Sequence, residues 1–384
     1  MKVDSMDMVR ELMLEFARDT GLASAKRAPR RYLWTDAFAV CNFLELFLRT
    51  KEERFRDLAL ELVAQVHNIL GRHREDDSRT GWISGLDEQE GARNPTRGGL
   101  RIGKQLRERA PGEALDDRLE WERDGQYYHY LTKWMHALAR VSRVTREPLY
   151  SAWGVELAKT AHARFTYLPP VGSKRMYWKM SIDLSRPLVA SMGQHDPLDG
   201  LVTYRELNAA AEDFQLGPSF DLRAEIAEME DICREKDWTT DDPLGIGGLL
   251  FDACRVAQLV TRERVDLVDL LRIILTSARW GLEAFARNPS MSLPAAYRLA
   301  FRELGLSIGL KSLPLLLGYL EESPDLFDRD LATGGEALLQ YMPLGQEIEN
   351  FWVDGKNREA DSWQEHRDIN RVMLATSLAP KGEL

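Results

Sequence analysis

Along nearly all of this chain apolar residues recur at the three-to-four-residue spacing of an amphipathic helix, and almost nowhere do they alternate as a half-buried strand requires. The pattern predicts helices at roughly 5–20, 36–49, 52–71, 124–143, 147–165, 185–193, 202–214, 220–235, 246–261, 265–287, 294–318, 335–350 and 360–377. Brief connections, Thr50-Lys51 and Thr145-Arg146-Glu147-Pro148, turn neighbouring helices into antiparallel pairs. Links between successive pairs are longer, and the longest, from Gly71 to Arg123, is an insertion of about fifty residues.

Composition separates the members of each pair. The segments near 36–49, 124–143, 246–261 and 298–318 are rich in Ala, Leu, Phe and Gly, as helices buried on both faces are. Those near 52–71, 147–165 and 265–287 carry Arg, Lys and Glu along one face. An inner and an outer layer alternating through about six pairs describe an all-α (α/α)6 toroid. The repeat is one of structure, without a strict sequence period. The 384 residues are therefore expected to form one toroid domain, 1–384, with its loop insertion at about 72–123.

A net charge of −10 argues against nucleic acid as a partner, because binding it requires a cationic surface that displaces counterions. Cys41, Cys233 and Cys254 fall within apolar helical patterns and read as reduced core residues. Near the N-terminus Met6, Met8, Val9, Leu12, Met13 and Phe16 form an amphipathic stripe interrupted by Asp7, Arg10, Glu11 and Glu15, unlike a signal peptide. No uninterrupted apolar run approaches the roughly 20 residues of a bilayer span. The expectation is a cytoplasmic chain with no membrane partner; its oligomeric state is left open.

Three segments mix aromatic and polar residues at helix starts. They are Glu120 to His136, Tyr32-Leu33-Trp34-Thr35-Asp36-Ala37-Phe38, and Trp363-Gln364-Glu365-His366-Arg367-Asp368-Ile369-Asn370. Aromatic planes stack on the apolar faces of sugar rings while carboxylates and amides bind hydroxyls. With its helix order, and with Arg31-Tyr32-Leu33-Trp34-Thr35-Asp36 and Asp124-Gly125-Gln126-Tyr127-Tyr128-His129, the chain resembles the six-hairpin glycosidase-like superfamily. That superfamily includes unsaturated glucuronyl hydrolases and N-acylglucosamine 2-epimerases. The resemblance, with these segments, implies a carbohydrate-active enzyme, first a glycoside hydrolase acting on a small or anionic saccharide, with a sugar epimerase or isomerase as the alternative.

In such a toroid the N-termini of the inner helices, with their unpaired N–H groups, gather at one mouth. Asp36 and Asp124 are candidate catalytic carboxylates for general acid–base cleavage of a glycosidic bond, with N-capping as the structural alternative. His129 is a third catalytic candidate, and His129 with His366 suits epimerisation, in which one group removes a proton and another returns it. Trp34, Gln126, Tyr128, Trp178, Trp363, His366 and Arg367 are candidates for holding substrate. So are His195 and Asp196 in Met192-Gly193-Gln194-His195-Asp196-Pro197-Leu198-Asp199-Gly200, a segment whose Gly, Pro and Asp density also fits a plain turn. His136 reads as a hydrogen-bonded core residue. Of the tryptophans, Trp34, Trp82, Trp121, Trp178, Trp238 and Trp363 fall in loops or helix starts, and Trp134, Trp153 and Trp280 within helices, as core.

Gly98-Gly99-Leu100-Arg101-Ile102-Gly103-Lys104-Gln105 imitates a phosphate loop, but Gln105 stands where Ser or Thr is required and no strand precedes it. Arg93, Arg97, Arg101, Lys104 and Arg107 make the insertion basic, either as a solvated loop or as a flap that pairs with an anionic group. No residue spacing suggests a metal, and no cofactor is expected. A non-catalytic saccharide-binding scaffold is the alternative from outside enzymology.

Overall fold

The computed structural model describes residues 5–23, 27–234 and 236–384. Helices follow one another as α1 (Ser5–Asp19), α2 (Leu33–Thr50), α3 (Glu53–Leu70), α4 (Glu88–Arg93) and α5 (Asp117–Glu122). A short strand β1 (Gln126–Tyr127) leads into α6 (Tyr128–Thr145) and α7 (Pro148–Phe165). Next come β2 (Thr166–Tyr167), β3 (Arg175–Met176), β4 (Lys179–Met180) and β5 (Pro187–Val189), then α8 (Asp196–Asp213) and α9 (Arg223–Cys233). The remainder is α10 (Pro243–Glu263), α11 (Val268–Arg287), α12 (Ala300–Glu322), α13 (Arg329–Glu336), α14 (Met342–Val353), α15 (Asp361–Gln364) and α16 (Arg367–Leu378). The chain divides into two compact units, Ala17–Arg234, and Met1–Phe16 together with Glu235–Leu384.

In Ala17–Arg234, α2 is buried without interruption from Leu33 to Leu46. Its partner α3 buries only Phe55, Ala59, Leu62, Val63, Val66, His67 and Leu70 and leaves charged residues outward. That difference is the inner and outer layering the composition implied. Inner α2 packs on inner α6, and α6 on α8, while α3, α7 and α9 lie alongside. The two tightest turns share one device. Lys51 (φ 61°) and Arg146 (φ 63°) take the left-handed conformation and donate their N–H to Phe47 O and Ser142 O, closing each helix before the chain reverses.

In the other unit, α10 and α12 make the most extensive helix contact. Glycine permits it: a Cβ on Gly247 would lie 2.1 Å from the Gly305 carbonyl oxygen, and one on Gly309 2.3 Å from that of Gly247. Both helices are long and apolar enough, by length and composition, to cross a bilayer, but 72% of each such stretch is buried inside the protein. Buried Glu303 accepts from the Arg298 guanidinium and from Trp352 Nε1 (2.8 Å), so its charge is matched.

Several expectations are corrected. Residues 185–193 are not helical: β5 pairs antiparallel with β4, which pairs with β1, giving the order β1-β4-β5. Pro187 opens that strand and Leu184 takes φ 56°, both breaking a helical register. Helix 335–350 is broken into α13, a 3-10 segment and α14, and helix 360–377 into α15 and α16. Here Asn370 accepts from Phe301 N–H and donates to Trp363 O, fixing the corner. The insertion is not loose either. Asp87 caps α4, Arg72 pairs with Glu88, Arg109 with Glu120, and Arg79 joins Asp77, Glu108 and Asp183.

Candidate functional site

Helix α6 begins at Tyr128, four residues later than Asp124, and this register decides which side chains meet. Tyr127 is extended (φ −99°, ψ 132°) because β1 holds it against Lys179 of β4. Gly125 before it has φ +149°, and a Cβ there would lie 2.8 Å from Met180 O. The Tyr127 ring therefore stacks on Trp178 (4.9 Å between centroids, 28°), with Trp121 edge-on to Trp178 at 4.7 Å. Tyr130 meets Tyr127 edge-on at 5.1 Å and Tyr32 at 5.6 Å; the Tyr32 and Tyr130 hydroxyls are hydrogen-bonded at 2.7 Å. Trp34 continues the row, 6.4 Å from Tyr130 and 4.7 Å from Phe38. The result is an aromatic wall carrying polar tips, with Trp121 half exposed (52%) at its edge.

His129 stands within this wall. Its ring stacks on Tyr127 (5.4 Å, 25°), parallels Trp178 (6.4 Å, 5°) and meets Tyr130 edge-on at 4.8 Å. Protein surrounds it on most sides, yet 31% of the side chain is exposed. Burial pushes its pKa down to about 4, so it is neutral at physiological pH. Nδ1 has no hydrogen bond and lies 3.7 Å from Asp196 Oδ1. Asp196 opens α8, and His195 is its N-cap residue. One turn on, buried Asp199 accepts from Thr132 Oγ1 and from Lys133 Nζ (3.1 Å). On the far side Lys104 Nζ lies 5.7 Å from the Tyr32 ring centre; burial lowers its pKa, opposed by Glu122 and Asp124. Burial also raises Tyr32 to about 12.

The proposed carboxylates adjoin the wall but are held by protein donors. Asp36 is buried, accepts from Tyr32 N–H at 2.9 Å and faces buried Arg31 at 3.6 Å, an arrangement that secures the α2 start from within the helix. The N-cap residues of these helices are Tyr32 and Tyr127, not the aspartates. Asp124 is fully buried and accepts five bonds, from Gly103, Lys104 and Gly125 N–H and from the Arg74 and Arg101 guanidinium groups. It holds the insertion against β1. Gln126 does the same with its amide: Oε1 accepts from Leu100 N–H, and Nε2 donates to Gly98 O and Ile182 O. Tyr128 is buried and donates to Tyr204. Its neighbours Tyr127 and Tyr130, not chosen from sequence, are the ones that reach the wall.

In the other unit, Trp363 is buried against Trp352 (5.6 Å, 27°), a core position and not a platform. His366 precedes α16 and meets Phe301 edge-on at 5.6 Å, and part-exposed Arg367 lies 4.0 Å from Asp368. Trp82 and Trp238 are also buried, whereas Trp280, expected in the core, is 59% exposed on α11. His136 does take its core role, buried against Glu206 at 3.3 Å. The cysteines are buried, as expected.

The fold is all-α, an (α/α)6 toroid like those of the solved structures it matches. Among solved structures, the chain is similar to a GH76 alpha-mannanase from Bacteroides thetaiotaomicron, at 10% identity and TM-score 0.54, over 99% of this chain and 96% of that one. A sugar epimerase from a ruminal bacterium matches at 10% identity and TM-score 0.53, over 97% and 98%. A D-mannose isomerase matches at 11% identity and TM-score 0.50, over 98% and 97%. No protein-family model and no curated protein sequence matches the chain.

Proposed function

We propose that the protein is a carbohydrate-active enzyme that interconverts sugars, by epimerisation or isomerisation, with His129 as its proton-transfer group. The observation that carries this reading is a neutral, partly exposed imidazole set in an aromatic wall, with Nδ1 unbonded beside Asp196. A base of depressed pKa stays unprotonated at neutral pH and accepts a proton from a carbon next to a sugar carbonyl. Return of a proton to that carbon from the opposite side gives the epimer; return to the neighbouring carbon, as the carbonyl moves, gives the isomer. The aromatic rings support the C–H faces of the sugar, while the Tyr32 and Tyr130 hydroxyls and Lys104 offer hydrogen bonds to its hydroxyls. Asp36 and Asp124 are too fully engaged with protein donors to serve as the paired carboxylates of hydrolysis.

Glycoside hydrolysis is the second reading, favoured by Asp196 and Asp199 on one turn beside His129. Incubation with aldoses, ketoses and disaccharides in deuterium oxide separates the two. Interconversion leaves mass unchanged apart from deuterium at the carbon next to the carbonyl, and H129Q abolishes it. Release of a second sugar without carbon-bound deuterium overturns the proposal.

A further inference from the structure

A cavity of about 550 Å³ opens between the insertion and the turn after β4, and shares no residue with the aromatic wall. Its size suits a small ligand. Arg74, Asp76, Asp77, Arg79, Arg107 and Glu108 line one side, and Asp183, Ser185 and Arg186 the other.

The walls are fixed. Asp183 Oδ1 accepts from the Ser181 hydroxyl and from Ser185 N–H and hydroxyl, locking the turn. Arg79 ties that turn to the insertion through Asp77, Glu108 and Asp183 (2.7, 2.8 and 2.8 Å). Arg74 is saturated by Asp76, Asp124 and two carbonyls. Four lining carboxylates are thus matched by two arginines. The other two arginines differ. Arg186 donates to the Arg109 carbonyl, and among the described residues neither Arg107 nor Arg186 has a carboxylate within ion-pair distance. Two guanidinium groups with no carboxylate directly paired to them, Arg107 having Glu113 only as a more distant charge, stand beside carboxylate lone pairs and Ser185 and are complementary to a ligand with an anionic head and a hydroxyl-bearing body.

We infer that this cavity is a binding site for a polyhydroxylated anion, an acidic sugar or a sugar phosphate, whose charged group is taken by Arg107 and Arg186. The site is independent of the chemistry assigned to His129. Titration calorimetry of the full chain with glucuronate, glucose 6-phosphate, glucose and inorganic phosphate tests it. One or both sugar anions bind, and which one binds identifies the head group; glucose and inorganic phosphate bind at least about tenfold more weakly, since a charged hydrogen bond or the body contacts are missing. R107A and R186A each weaken the sugar anion by a similar factor, R107K less, and H129Q leaves it unchanged; unaltered circular dichroism shows that the variants fold. Failure of both sugar anions to bind overturns the inference. So does inorganic phosphate binding as well as they do, or a doubly substituted R107A/R186A protein that binds like the parent.

Discussion

At His129 the surroundings demand neutrality while the exposed edge admits a ligand, and a proton-transfer group needs both. Replacing it with glutamine keeps a polar side chain but removes the basic nitrogen, so sugar interconversion falls by about a hundredfold or more while the fold persists. The acid limb of the rate profile lies near pH 4, not 6.5, because burial holds the imidazole deprotonated down to that value; kcat/KM against pH checks it. Trp178→Ala removes a stacking surface and acts mainly on KM. His129, Trp34 and Trp178 could be chosen from sequence because aromatic and polar residues crowd one segment. Tyr127 could not, since a helix start at Asp124 rather than Tyr128 takes it out of the strand that aims its ring. Asp124 attracted a catalytic reading for the same reason that it is structural: a carboxylate among backbone N–H groups and arginines satisfies both descriptions until its partners are known.

For elements, the decisive question is what holds the insertion to β1. Asp124→Asn leaves the Arg74 and Arg101 guanidinium groups without their shared counter-charge and costs about 3 kcal/mol or more. The expected result is a lower urea midpoint and protease cleavage within residues 99–110, alongside lost activity. A variant with parental stability and no activity would return Asp124 to a catalytic role. At the α10–α12 crossing, Gly247→Ala places a methyl carbon 2.1 Å from a backbone oxygen that cannot rotate away, so the helices must separate. A drop in melting temperature larger than that of Gly248→Ala, where a Cβ meets nothing within 4 Å, is the measurable outcome. Long helices were legible because periodicity accumulates over many turns. β5 was not, since three residues paired to a two-residue strand carry almost no periodic signal.

On the scale of the whole molecule, alternation of all-buried and one-face-buried helices made the toroid readable without any sequence repeat, because each layer has its own solvent exposure. Stability has a comparable global determinant in histidines that fold as neutral groups. His67 accepts from Trp134 Nε1 at 3.1 Å, and burial holds its pKa near 3, against 6.5 when unfolded. His129 is lowered to about 4. Between 6.5 and these values the unfolded chain binds protons that the folded chain refuses, so stability falls as pH falls through that window and is fully present above it. Each such histidine contributes a slope of at most about 1.4 kcal/mol per pH unit. Between pH 6.5 and 5 carboxylates of ordinary pKa titrate only in part, and comparison of parent with variant isolates the His67 contribution. His67→Gln retains an acceptor for Trp134 but no titrating ring. Its urea midpoint is expected to change less than the parent's between pH 6.5 and 5, and equal slopes would show that His67 is not held neutral by the fold.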